Sequence, residues 1–346
     1  AKNGFDGVLV EGWNEGWDGD WTADGSAFSF VKAYPDFNLE EITKYAAMKN
    51  VRLIGHHETA GATKNYESQL EDAFKLYQKM GVNSVKTGYV NKFLDKKEWH
   101  DSQYGARHYR KVIETAAKYH IMIDNHEPMK GTGLQRTYPN FMSQEGGRGQ
   151  EYNAWSVDGG NTPEHLTTLP FTRMLSGPFD YTPGNFNFDY KTPSGAKVQT
   201  TLANQLALYV IIFSPLQMAS DLPENYEGKP EFQFVKDVPC TWSDTKVLDS
   251  KIGEYTTIAR KDWEEKNWYL GSITNRNARD LKVAVSFLDK NKEYEAEIYA
   301  DGEGANYKTN PYPVTISKQK VNSKTVLNIK LAAGGGTAIK FTPIEK

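Results

Sequence analysis

One cassette repeats through the larger, N-terminal part of the chain: a short apolar run, a polar or glycine-rich stretch straight after it, then a segment of helical period. The apolar runs cover residues 7–10, 51–55, 82–86, 121–123, a stretch near Phe141, 171–175 and 215–219. Between them, Asn38 is placed to cap a helix over 38–49, with Glu40 and Glu41 in its first turn and Ile42, Tyr45 and Ala46 on one face. Leu70, Ala73, Phe74, Tyr77 and Met80 fall at helical spacing, as do Tyr109, Val112, Ile113, Ala116 and Ala117. Residues 200–213 read as an apolar helix. Strands alternating with helices imply a parallel sheet covered by those helices. Polar clusters at the strand ends imply a closed (β/α)8 TIM-type barrel, whose sites collect on that face. Seven strand-like segments stand where a closed barrel takes eight, and the sequence opens abruptly on AKNGFDG. The expectation is therefore that the first strand and its helix precede this chain.

The period changes near Asp249. From Lys251 onward, EYTTIARKD, NWYLGSITN, LKVAVSF, YEAEIYADG, YPVTISKQ, TVLNIKL and GGTAIKFTP are short alternating runs separated by turn residues. They predict a C-terminal antiparallel β-sandwich over 251–346, after a barrel over 1–250. Its expected role is to pack against the barrel.

Composition narrows the function classes. A formal net charge of −3 with scattered Lys and Arg argues against a nucleic-acid surface. The single cysteine, Cys240, excludes a disulfide framework and a Cys-based zinc site. No apolar run is long enough to span a membrane as a helix. Eight Trp, 20 Tyr and 16 Phe supply core packing and, at some positions, faces on which sugar rings stack.

The densest polar stretch is IMIDNHEPMKGTGLQRTYPNFMSQEGGRGQEY, residues 121–152. A strand there ends on Asp124, Asn125, His126 and Glu127; Glu145 and Glu151 follow. With Glu58 after the second strand, the chain offers carboxylates at several strand ends. Glycoside cleavage needs such a set: one acid for the leaving oxygen and one carboxylate on the anomeric side. His56 and His57 are neighbours on a strand and point to opposite faces, which disfavours a shared zinc. His56 and His126 are read as donors to sugar hydroxyls, His57 as a core histidine. Converging Glu127, Glu145 and Glu151 would repel one another. Either calcium, which prefers oxygen ligands, or Lys86, Arg136 or Arg148 relieves that repulsion.

HHET, VKTGYV, DNHEPMKGTGLQRTYPN and QEGGRGQEY resemble glycoside hydrolase family 97, and the resemblance covers most of the barrel and the sandwich. It implies Glu151 as general acid, Glu58 and Glu127 as paired bases of the inverting branch, and Glu127, Glu145 and Glu151 as Ca²⁺ ligands. It implies substrate contacts at His56, Lys86, His126 and Glu11. The family's retaining branch carries an aspartate nucleophile at the end of the VKTGYV strand, where this chain has Gly88. The expectation is an inverting, calcium-dependent exo-α-glucosidase acting on α-glucans. An α-galactosidase and a sugar-binding barrel without catalysis are the alternatives. An N-terminal β-sandwich and a periplasmic or secreted location are implied for the complete protein.

Overall fold

Five short strands pair in parallel to build the first sheet of the structure, a computed structural model that describes residues 1–345. The described chain divides into one unit of residues 1–147 with 176–178, and a second of residues 148–175 with everything from Phe179 onward.

In the first unit, β1 (Gly7–Leu9), α1 (Leu39–Met48), β2 (Arg52–Glu58), α2 (Thr63–Met80) and β3 (Ser84–Gly88) follow one another. A small hairpin comes next, β4 (Phe93–Leu94) with β5 (Glu98–Trp99). Then come α3 (Gln103–Lys118), β6 (Met122–Asn125) and β7 (Phe141–Gln144). The parallel sheet has the order β1-β2-β3-β6-β7. Asn38 caps α1 through Glu41 N at 3.1 Å, and Ser102 caps α3 through Gly105 N at 3.2 Å. The helical stripes read from the sequence are buried: Leu70, Ala73, Phe74 and Tyr77 of α2 and Val112, Ile113 and Ala116 of α3 join Leu53, Val85 and Ile123 in one core. Each buried Leu, Val, Ile or Phe of this set contributes about 1.5–3 kcal/mol. On α1 the expectation for Tyr45 fails, because Leu39 and Thr43 are the buried residues while Tyr45 is exposed.

Two expected strands are absent from the described residues. Residues 169–171 and 173–176 form 3-10 turns, and 215–219 run without strand pairing. Pro170 fixes the φ of the helical turn at 169–171, and Thr172 and Arg173 interrupt the apolar character of the run that follows. The observed parallel sheet thus has five strands among the described residues, where eight would close a ring.

The second unit contains α4 (Tyr152–Trp155), α5 (Pro163–Thr168) and the wholly buried α6 (Leu202–Ile211). Its eight strands are β8 (Trp242–Lys251), β9 (Tyr255–Asp262), β10 (Trp268–Thr274), β11 (Arg279–Ala284), β12 (Tyr294–Asp301), β13 (Val314–Val321), β14 (Val326–Leu331) and β15 (Gly336–Pro343). Six form the antiparallel sheet β13-β12-β15-β10-β9-β8, and β11 pairs with β14. Strict alternation in β14 buries Leu327, Ile329 and Leu331 against Leu270, Tyr294 and Phe341 of the larger sheet. The helix α6 lies directly on that sheet, since a Cβ on Gly271 would come within 2.6 Å of the Ala207 carbonyl oxygen. Asp301 ties helix and loops together: it accepts from Thr201 Oγ1 at 2.6 Å, Ala332 N at 2.8 Å and Gly336 N at 2.9 Å. Burial pushes its carboxyl up to about 6 despite those donors. Asp301→Ala is expected to cost about 2–4 kcal/mol in urea unfolding, because three donors lose their acceptor.

Candidate active site

Successive strand side chains alternate between faces. Leu53, Val85 and Ile123 face the helices, which leaves His56, Glu58, Lys86 and Asp124 together on the other face. The register aligns them: His56 lies opposite Lys86, and Lys86 opposite Asp124, while Glu58 lies opposite Gly88. One row of polar groups therefore crosses three strands, with a second row a pleat beyond it.

The first row is electrostatically knitted. Lys86 Nζ donates to Glu11 Oε1 at 2.9 Å, and His56 Nε2 lies 3.7 Å from the same oxygen. Burial alone would raise the Glu11 carboxyl, but His56 and Lys86 hold it below the usual range. His56 itself is pushed down to about 3, chiefly by burial and against the pull of Glu11. It is a neutral imidazole that both donates and accepts, as recognition of hydroxyls requires. Trp17 stacks on it, with ring centroids 5.8 Å apart. His57 faces away and bonds Tyr66 Oη through Nδ1 at 2.9 Å, in keeping with its reading as a core histidine.

In the second row, Glu58 is buried and accepts at Oε1 from Ala60 N (2.6 Å) and Val90 N (3.0 Å). Glu127 accepts at Oε2 from Tyr89 N (2.8 Å). His126 lies between two carboxylates, with Nε2 3.8 Å from Asp124 Oδ2 and Nδ1 3.5 Å from Glu145 Oε2. Burial, with the Glu127 charge adding to it, pushes the Glu58 carboxyl up to about 7, against the lowering effect of its backbone donors. This gives Glu58 the protonation balance of a base working near neutrality. A carboxylate whose folded value lies above its unfolded value of 4.5 contributes stability fully below pH 4.5 and loses it as pH rises through 7. With calcium chelated, Glu58→Gln is therefore expected to unfold at higher urea than the parent at pH 8, by on the order of 3 kcal/mol, with the gap shrinking towards pH 5. An equal gap at both pH values would remove the ionisation account.

Gly88 bears directly on this row. A Cβ there would lie 2.0 Å from Glu58 Oε2, so the Glu58 carboxylate occupies the space a side chain at 88 would enter.

Glu151 belongs to the second unit, exposed in the turn that opens α4. Arg148, of the same unit, forks onto Asp158 at 2.6 and 2.9 Å. Of the counter-cations considered for the glutamates, Lys86 thus pairs with Glu11 and Arg148 with Asp158, while Arg136 is exposed. The buried Glu145 presents a carboxylate oxygen 3.5 Å from His126 Nδ1, with Asp124 on the other side of the same ring. That donor set fits a hard cation such as calcium.

Trp17 lies in GWNEGWDGDW, a Gly- and Trp-rich loop after β1 whose position suits a pocket wall, and Asp124 stands within the DNHE cluster without a role of its own. The backbone N–H groups of Tyr89 and Val90 carry no motif.

Residues 1–147 match the model of a family described as glycoside hydrolase 97, and residues 241–342 match one described as glycosyl-hydrolase 97 C-terminal, oligomerisation. A retaining alpha-galactosidase of Bacteroides thetaiotaomicron is 35% identical over 359 residues, covering 99% of this chain and 49% of that protein. A glycoside hydrolase family 97 enzyme of Pseudoalteromonas sp. strain K8, a glutamate-to-glutamine variant in complex with panose, superposes with a TM-score of 0.96 at 49% identity. The enzyme from the same strain in complex with acarbose gives 0.95 at 48%. Each of these two alignments covers 99% of this chain and 55% of the other. The chain thus spans about half the length of the relatives it matches.

Proposed function

This chain belongs to glycoside hydrolase family 97, and from that premise we propose that it is part of an inverting, calcium-dependent exo-α-glucosidase releasing glucose from the non-reducing ends of α-glucans. The observation that carries the reading is the Glu58 carboxylate seated where Gly88 has no side chain. An aspartate nucleophile of the retaining branch would meet that carboxylate there. Panose and acarbose, the ligands of the relatives at 49% and 48% identity, are compounds of the α-glucan type and support glucose as the sugar.

In this mechanism Glu151 gives its proton to the glycosidic oxygen as the bond to the anomeric carbon breaks. Glu127, with Glu58, takes a proton from the water that attacks the opposite face, so one C–O bond forms as the other breaks and the configuration inverts. Burial and the neighbouring Glu127 raise the Glu58 carboxyl to about 7, where it exchanges a proton near neutrality. His56, His126, Lys86 and Glu11 bind and orient the sugar hydroxyls. Glu127, Glu145 and Glu151 are the residues that would hold calcium, which would supply fixed positive charge to the site. In the complete protein the five-stranded sheet is read as an arc of a (β/α)8 barrel accompanied by an N-terminal β-sandwich. The C-terminal sheet begins with β8 at Trp242, nine residues before the expected boundary at 250/251; a periplasmic or secreted location belongs to the same proposal.

The name of the Bacteroides relative favours a second reading, a retaining α-galactosidase. Proton NMR of the first-formed sugar separates the two. The complete protein is expected to release β-glucose first from an aryl α-glucoside. Release of α-galactose first from the galactoside, with the glucoside untouched, would overturn both the sugar and the stereochemistry.

A further inference from the structure

Two residues outside glycine that hold left-handed backbone sit beside the two base carboxylates: Ala60, with φ +46°, and Glu127, with φ +42°. Each such residue costs on the order of 1–2 kcal/mol and persists only where its surroundings fix it. The same short segment fixes both. Consecutive N–H groups of Tyr89 and Val90 donate to Glu127 Oε2 and Glu58 Oε1 respectively. One residue on, Asn91 Nδ2 donates to the Ala60 carbonyl at 2.8 Å. His100, beyond the β4–β5 hairpin, places Nε2 2.6 Å from the Asn91 carbonyl and Nδ1 3.1 Å from the Glu127 carbonyl. Tyr109 Oη donates to that Glu127 carbonyl at 3.1 Å and lies 2.9 Å from His100 Nδ1.

Resting on the base pair proposed above, we infer that the segment from Tyr89 to His100 sets the spacing of the two carboxylates, with His100 and Tyr109 as positioning residues that pin it to the backbone of Glu127. Peptide N–H groups of adjacent residues have a fixed separation, so two carboxylates bonded to them cannot drift apart independently. The His100 ring closes the loop by joining the Asn91 end to the Glu127 end. Neither His100 nor Tyr109 touches substrate in this scheme. They act on water activation by holding the atoms that do.

The test uses the complete protein with His100→Ala, His100→Gln and Tyr109→Phe. His100→Ala is expected to lower kcat about 10–100-fold while KM stays nearly constant, since misplacing a base harms the transition state and spares sugar binding. Gln, which keeps a donor, should recover part of the loss. Amide hydrogen exchange reads the geometry independently of turnover: protection at Tyr89 and Val90 should fall about tenfold or more in His100→Ala while α2 and β2 stay as in the parent. Unchanged kcat, or a loss matched by KM or by global unfolding, would overturn the inference. So would unaltered protection at Tyr89 and Val90 in both His100→Ala and Tyr109→Phe. If the parent hydrolyses no α-glycoside, the functional reading fails, and the exchange data alone decide whether the spacer exists.

Discussion

Glu151→Gln in the complete protein is expected to lower kcat on α-glucans by about 10²–10⁴-fold with sugar affinity retained. The glutamine is nearly isosteric and has no proton to give. The position is exposed, and Glu151 provides no side-chain cap for the short α4 helix that follows, so α4 itself should form as in the parent. The loss should depend on the leaving group. An aryl glucoside that departs as a stable phenolate needs little protonation and should suffer least, while a glucan alcohol should suffer most. This gradient belongs to a general acid and to no binding role. A flat loss across leaving groups would move Glu151 to another role, and an unchanged sugar-binding isotherm with no turnover in the parent would favour a barrel that binds without cleaving.

Much of the first unit was legible because its strands are short, apolar and closed by polar residues. Glu58 and Glu127 stand out in the sequence as carboxylates at the ends of β2 and β6, and the opposite facing of His56 and His57 follows from the pleat alone. What pairs with what was not legible. The contact of Glu58 with the space above Gly88 depends on parallel register between β2 and β3, which no local pattern encodes. The sequence offers Lys86 as a counter-charge and a substrate contact, but its pairing with Glu11 needs β1 placed beside β2. The misread runs at 171–175 and 215–219 carry apolar residues as true strands do, and hydrophobicity by itself does not separate a strand from a turn. The spacer segment was hidden for another reason. Its donors are backbone N–H groups, present in every residue except proline, and their role appears only when the turn after β3 aims them at two acids.

Gly88→Asp carries the second large effect, and it bears on which stereochemistry the site supports. The new Cβ would lie 2.0 Å from Glu58 Oε2, far inside contact distance. A flexible exposed side chain would swing away from such a clash, whereas Glu58 is buried at 4% exposure and its other oxygen is held by Ala60 N and Val90 N. Moving it breaks two charge-assisted bonds, and keeping it places another carboxylate beside one that burial already drives towards protonation. The single variant is therefore expected to lose about 2–4 kcal/mol of stability and at least about 10²-fold in kcat. Adding Glu58→Ala removes the clash and the excess charge together, so the double variant should regain most of the stability by urea unfolding. Its aspartate would then stand where a retaining nucleophile is expected, with the water-activating pair reduced to Glu127. Any residual hydrolysis by that variant should release the retained anomer first, read by proton NMR, while the parent releases the inverted one. If Gly88→Asp alone keeps parental stability and inverting turnover, then Glu58 has room to move and the glycine does not select the mechanism.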